Sequence, residues 1–275
     1  MIRIVATLLV TGGIVLALLS PLAERVIFQP TPGQDIEPAL IAARYGFEAE
    51  SLFLETSDRV SIHAFYLPDR RGEGARARRA LLYLHGNAGN ASHRLPIAAQ
   101  LAQLGSDVLL LDYRGYGLSQ GRPSEAGVYA DASAALAYLV EERGIPVERV
   151  VLFGSSLGGA VAVELARERP LAGVVLESTF TSVEDMARRM VGPLARLFGG
   201  FESVRRIAHL RAPLLFLHGD RDDIVPIEQG RALFAAAPEP KTFEVIAGAG
   251  HNDITLVGGA AYFARIGRFL DEVAP

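Results

Sequence analysis

The sequence contains no cysteine. Disulfides, thiolate metal sites and cysteine nucleophiles are therefore excluded. Lysine occurs once, at Lys241, among many arginines, a compositional habit rather than a site. Positive charge is not in excess: the net charge is -4, which argues against nucleic acid as a partner. No histidine pair has the H-E-x-x-H spacing of a metal site, so no metal and no cofactor is expected. Internal repeats and low-complexity tracts are missing too. What remains is a chain of 275 residues with 50% hydrophobic content, enough for one large core.

The N-terminus carries a run without charge, Ile4 to Leu19. With Ile2 and Ser20 to Ala23 it approaches the ~20 residues that cross a bilayer. Arg3 precedes it, and Glu24 with Arg25 closes it. A secretory signal has the same charged start, but SPLAERV after the run offers no A-x-A cleavage pattern. Residues 1–25 are therefore expected to be an uncleaved single-pass membrane anchor, with a cleaved signal and secretion as the rival. Arg3 and the terminal amine place the N-terminus in the cytoplasm and the remainder outside.

Residues 26–50 read as a proline-bearing connector, and residues 51–275 as one domain. Ser51 to Thr56 and Val60 to Leu67 alternate apolar and polar around Ser57-Asp58-Arg59, a hairpin pattern. Asp69 to Arg79 is a glycine- and arginine-rich solvated loop. From Ala80 onward, short apolar runs lack polar alternation: 80–84, 107–111, 150–153, 172–176, 213–217 and 242–246. Such runs suit parallel strands covered on both faces. Helical patterns lie between them, near 92–104, 125–143, 157–168, 183–198, 228–236 and 260–272. Alternation of this kind predicts an α/β fold with a mostly parallel central sheet and helices on both faces. Functional groups then belong at the carboxyl ends of the strands.

Polar, glycine-rich turns follow all but one of those runs: HGNAGN at 85–90, DYRGYGLS at 112–119, GSSLG at 154–158, HGDRDDIVP at 218–226 and GAGHND at 248–253. The fourth run, 172–176, leads into Glu177-Ser178-Thr179-Phe180. The third turn fits G-x-S-x-G with Ser156 at its apex, a sharp strand-to-helix bend that lifts the hydroxyl above the sheet. Ser156 is the expected nucleophile. A serine hydroxyl needs an adjacent base, and His251, between the last strand and the last helix, is the best placed. His85 and His218 suit turn roles; His63, His93 and His209 lack a functional context. The carboxylate that orients the base is one of Asp220, Asp222 and Asp223.

These turns together resemble the α/β-hydrolase superfamily. The resemblance spans residues from Ser51 to the C-terminus and implies the order nucleophile, acid, histidine. It maps the acid onto Asp222, ahead of Asp223 and Asp220. It implies an oxyanion hole formed by the amides of Leu157 and Asn87. The Ile27-Phe28-Gln29-Pro30 entry, HGNAGN and the apolar N-terminus are most similar to the membrane-anchored branch that includes protein depalmitoylases. A carboxylic ester or thioester hydrolase acting on lipid-like or acylated substrates is thus expected. A serine peptidase on the same fold and a non-catalytic membrane-tethered binding protein are the alternatives. Ser182 and Asp185 suggest a capping box opening a helix over 183–198, either packed on the sheet or forming a small cap. No insertion is long enough for a large lid.

Overall fold

A computed structural model describes residues 27–69, 78–167 and 169–275. The expected anchor, 1–25, and most of the arginine-rich loop lie outside the described residues. Among the described residues no helix is long and apolar enough to cross a membrane.

Among the described residues eight strands form one sheet: β1 (Glu50–Glu55), β2 (Ser61–Leu67), β3 (Ala80–Leu84), β4 (Asp107–Leu111), β5 (Val150–Ser155), β6 (Gly173–Glu177), β7 (Leu214–Gly219) and β8 (Lys241–Ile246). Their spatial order is β1-β2-β4-β3-β5-β6-β7-β8. The hairpin strand β1 pairs antiparallel with β2, and β2 antiparallel with β4. All other pairs are parallel. The parallel strands explain their own sequences. Successive side chains alternate between faces, so in β3 Leu82 and Leu84 join one apolar cluster while Leu81 and Tyr83 join the other. Both faces are buried, and every residue of β3 and β4 is buried with them.

One face is covered by α3 (Glu125–Ala137), α4 (Leu157–Ala166), α6 (Ser203–Ile207) and α7 (Ile227–Ala236). The other is covered by α1 (Pro38–Tyr45), α2 (Ala91–Ala102) and α8 (Ile254–Val273). Three segments differ from expectation. The connector holds helix α1, whose Ile41 is buried against the second cluster. The pattern over 125–143 ends in a π-helical turn at Tyr138–Glu142. The pattern over 183–198 divides into α5 (Val183–Val191) and a 3-10 segment, Gly192–Leu197. Gly192-Pro193 causes that division, because proline cannot donate within a helix. The last helix begins earlier than expected and kinks at Gly259, whose φ of 50° only glycine adopts freely.

Candidate active site

Ser156 follows β5 with φ 52° and ψ -114°, a conformation strained for any residue with a side chain. The surroundings hold it there. Its N–H donates to the Glu177 carbonyl at 2.8 Å, and its own carbonyl accepts from Gly159 N–H at 3.0 Å. The Thr179 hydroxyl donates to that carbonyl as well, at 2.7 Å. Crowding accounts for the flanking glycines. A Cβ at 154 would sit 2.5 Å from the Gly158 oxygen, and one at 158 only 1.9 Å from the Leu84 oxygen. Leu157 is the first residue of α4, where amides have no intrahelical acceptor and the helix dipole favours negative charge.

The loop after β3 runs beside this turn, since a Cβ at Gly86 would lie 3.4 Å from that of Ser156. Asn87 comes next. Sequence reasoning used only its amide, but its side chain is an anchor for the loop. Asn87 Oδ1 accepts from Gln29 N–H at 3.0 Å and from the Tyr116 hydroxyl at 2.8 Å, while Nδ2 donates to the Ile27 carbonyl. Asn90 Nδ2 donates to the carbonyl of Gly33 at 2.9 Å, and Gly33 N–H to that of Gly117 at 2.7 Å. Residues 27–33 therefore form a strap across the turns after β3 and β4. These contacts join residues 29 to 84 positions apart, and no local pattern announces them.

The acid loop is equally well fixed. Asp222 is buried, and its Oδ1 accepts from the amides of Ile224 at 3.1 Å and Val225 at 2.8 Å. Its Oδ2 accepts from His251 Nδ1 at 2.7 Å. With Nδ1 carrying that proton, Nε2 is left to accept from the Ser156 hydroxyl at 3.1 Å. The structure thus brings Ser156, His251 and Asp222 together. Asp223 is exposed, and Asp220 instead caps the amide of Gly248 at 2.6 Å. His218, expected in a turn role, has its Nε2 donating to the Val225 carbonyl at 2.8 Å and lying 3.5 Å from Asp222 Oδ2. A histidine at a strand end four residues before the acid was the available signal.

Burial by itself would raise the Asp222 carboxyl. The nearby His218 ring and the hydrogen bonds from His251 and the Val225 amide outweigh it and hold the group well below the usual carboxylate range. Its folded value lies below its unfolded one, so the carboxylate contributes stability above about pH 4. That contribution is lost as pH falls through the depressed value. Asp222→Asn is therefore expected to melt below the parent at neutral pH, with the gap closing as the pH drops below about 4. Thermal melts across that range check this; a gap that does not change with pH would contradict it.

A second serine, histidine and aspartate make the same contacts elsewhere. His63 Nδ1 donates to Asp112 Oδ2 at 3.0 Å, and His63 Nε2 lies 2.9 Å from Ser51 Oγ. Asp112 also accepts from the Ala91 amide at 2.7 Å and lies 3.7 Å from His85 Nε2. The two sets differ in what surrounds the serine. Ser51 sits within the edge strand β1, in register with Phe65. Ser156 occupies a strained turn that opens a helix. Contacts alone would not separate the two serines; backbone setting does.

Comparison with known proteins adds to the geometry. A family model described as serine aminopeptidase, S33, matches residues 75–203. An uncharacterised protein of Mycobacterium tuberculosis is 40% identical over 97% of this chain and 93% of its own length. An alpha/beta hydrolase domain-containing protein of Arabidopsis thaliana, WAV2, is 35% identical over 96% of this chain and 93% of its own. Among solved structures, the Pyrococcus furiosus esterase Pf2001 superposes with a TM-score of 0.75 at 19% identity, covering 90% of this chain and 99% of that one.

Proposed function

The chain belongs to the α/β-hydrolase superfamily, and from that premise we propose that it is a serine hydrolase cleaving carboxylic esters or thioesters. Support comes above all from His251, which lies 3.1 Å from Ser156 Oγ and 2.7 Å from Asp222 Oδ2. In this mechanism Ser156 Oγ adds to the carbonyl carbon while His251 Nε2 takes its proton. The tetrahedral intermediate collapses, and the departing alcohol or thiol receives that proton. Water then repeats the sequence on the acyl-enzyme and releases the acid. Asp222, ionised and buried, fixes the imidazole tautomer and stabilises the imidazolium. The amides of Leu157 and Asn87 receive the oxyanion, each donor contributing roughly 3 kcal/mol to the transition state. The Asn87 side chain, bound both to the strap and to the Tyr116 hydroxyl, keeps the second of these amides in position.

Lipid-like or acylated substrates follow from the uncharged N-terminal run, and the proposal keeps residues 1–25 as a single-pass anchor with the catalytic domain outside the cytoplasm. A peptidase is the second reading, favoured by the name of the matching family model. Turnover of p-nitrophenyl esters from acetate to palmitate, beside aminoacyl p-nitroanilides, separates the two. Esters are expected to be cleaved, with an optimum beyond acetate. Preference for the anilides would favour the peptidase. Turnover of neither by folded protein would leave the non-catalytic binding protein.

A further inference from the structure

Among the described residues nine large apolar side chains are markedly exposed. Six of them follow the carboxyl ends of the strands, on the rim that carries Ser156. Leu118 lies in the turn after β4, Val191 and Leu194 at the end of α5 and just beyond it, Ile224 after β7, and Leu256 with Val257 in the first turn of α8. Leu256 is 82% exposed, Leu194 63% and Ile224 50%. The other three are Leu40 on α1, and Phe53 and Val245 on the two edge strands. Of these three only Leu40 lies in a connection, the one leading to the amino end of β1. Charged side chains accompany the apolar ones: Arg189 and Arg196 flank Val191 and Leu194, and Arg221, with the shorter Asp220 and Asp223, flanks Ile224; all five are exposed. Apolar side chains edged by arginines suit a water–lipid boundary, where the stems lie along acyl chains and the heads reach water.

The chain itself indicates what the rim faces. Ile27, at the start of the strap, has its carbonyl bound by Asn87 in the loop beside Ser156. It is eight residue steps from Leu19, the end of the uncharged run. Fully extended, they reach at most about 28 Å. An anchor attached there enters the domain on the side of this rim. We propose that the rim around Ser156 is seated on the membrane in which residues 1–25 are anchored, so that acylated substrate enters the site from the lipid rather than from water. This rests on the hydrolase reading above and names where its substrate comes from.

The absence of cysteine makes a direct test available, because a single introduced cysteine is the only site a thiol-reactive dye can label. The full chain, carrying Leu194→Cys, Ile224→Cys or Leu256→Cys, is labelled with an environment-sensitive fluorophore and reconstituted in phosphatidylcholine vesicles. Arg211→Cys, exposed before the amino end of β7, is the control. Nitroxide-bearing acyl chains are expected to quench the three rim labels several-fold more than the control, and aqueous iodide to do the reverse. Iodide reaching the rim labels while nitroxide does not would overturn the proposal, because the rim would face water. Protection from both quenchers would overturn it too, because protein, either residues 1–26 or a second copy, would cover the rim. Hydrolysis of a water-soluble short-chain ester by the unlabelled parent is read in parallel. If that persists, a failed quenching result counts against the membrane seat alone; if it is missing, the hydrolase reading itself has failed.

Discussion

Ser156→Ala is expected to lower ester turnover by about 10⁴-fold or more while leaving the protein folded. The substitution removes the hydroxyl that lies 3.1 Å from His251 Nε2 and nothing else of substance. Alanine carries the same Cβ, so the strained backbone at φ 52° is neither relieved nor worsened. The backbone bonds from Ser156 to Glu177 and Gly159 are unaffected. The loss therefore belongs in kcat, since the missing group acts on the transition state rather than on substrate capture. Steady-state kinetics with a melting curve on the same preparation read both quantities. Ser51→Ala is expected to leave turnover near the parent's, because Ser51 lies in a regular strand. Turnover retained in Ser156→Ala but lost in Ser51→Ala would transfer the chemistry to the other constellation.

The second large effect is on stability. Gly158→Ala would place a Cβ 1.9 Å from the Leu84 carbonyl oxygen and 2.7 Å from that of His85. Both oxygens belong to backbone at the end of β3, and β3 is hydrogen-bonded on one side to β4 and on the other to β5. Neither can step aside as a flexible side chain would. The helix must move instead, and the Leu157 amide and Ser156 move with it. A cost at or above the upper end of overpacking, about 3 kcal/mol, is expected, lowering the melting temperature by about 10 °C and abolishing most turnover. Gly248→Ala is the comparison. Gly248 has φ 82° but open space around it, so only backbone strain of about 1–2 kcal/mol is incurred. Equal melting temperatures for the two variants would contradict the packing described for the serine turn.

Much of this arrangement was legible in the sequence, for physical reasons. Strands β3 to β7 are buried on both faces, so they had to be short apolar runs. The bend at Ser156 cannot form without small residues at 154 and 158, so glycines mark it. The candidate catalytic groups lie at strand ends because a parallel sheet presents its loops there. What was hidden is carried by long-range polar contacts, which leave no period in the sequence. The choice among Asp220, Asp222 and Asp223 depends on which carboxylate turns inward toward His218 and His251, and the residues alone left it open. His63 had no visible role until the antiparallel pairing of β2 with β4 brought it to Asp112. Helix α1 eluded the sequence because eight residues are too few for a firm helical pattern; burial of Ile41 in the second apolar cluster decides its shape. The strap at 27–33 was hidden for the same reason as His63: its partners are Asn87, Asn90 and Gly117, far along the chain.

The most direct measurement is covalent labelling with a fluorophosphonate, followed by mapping of the modified peptide. An activated serine in an oxyanion-binding site reacts with such a probe; an ordinary surface hydroxyl does not. One adduct on Ser156 is expected, absent from Ser156→Ala and strongly slowed in His251→Ala. Modification of Ser51 in place of Ser156, or no modification of a folded protein, would contradict the assignment of Ser156, His251 and Asp222 as the catalytic groups.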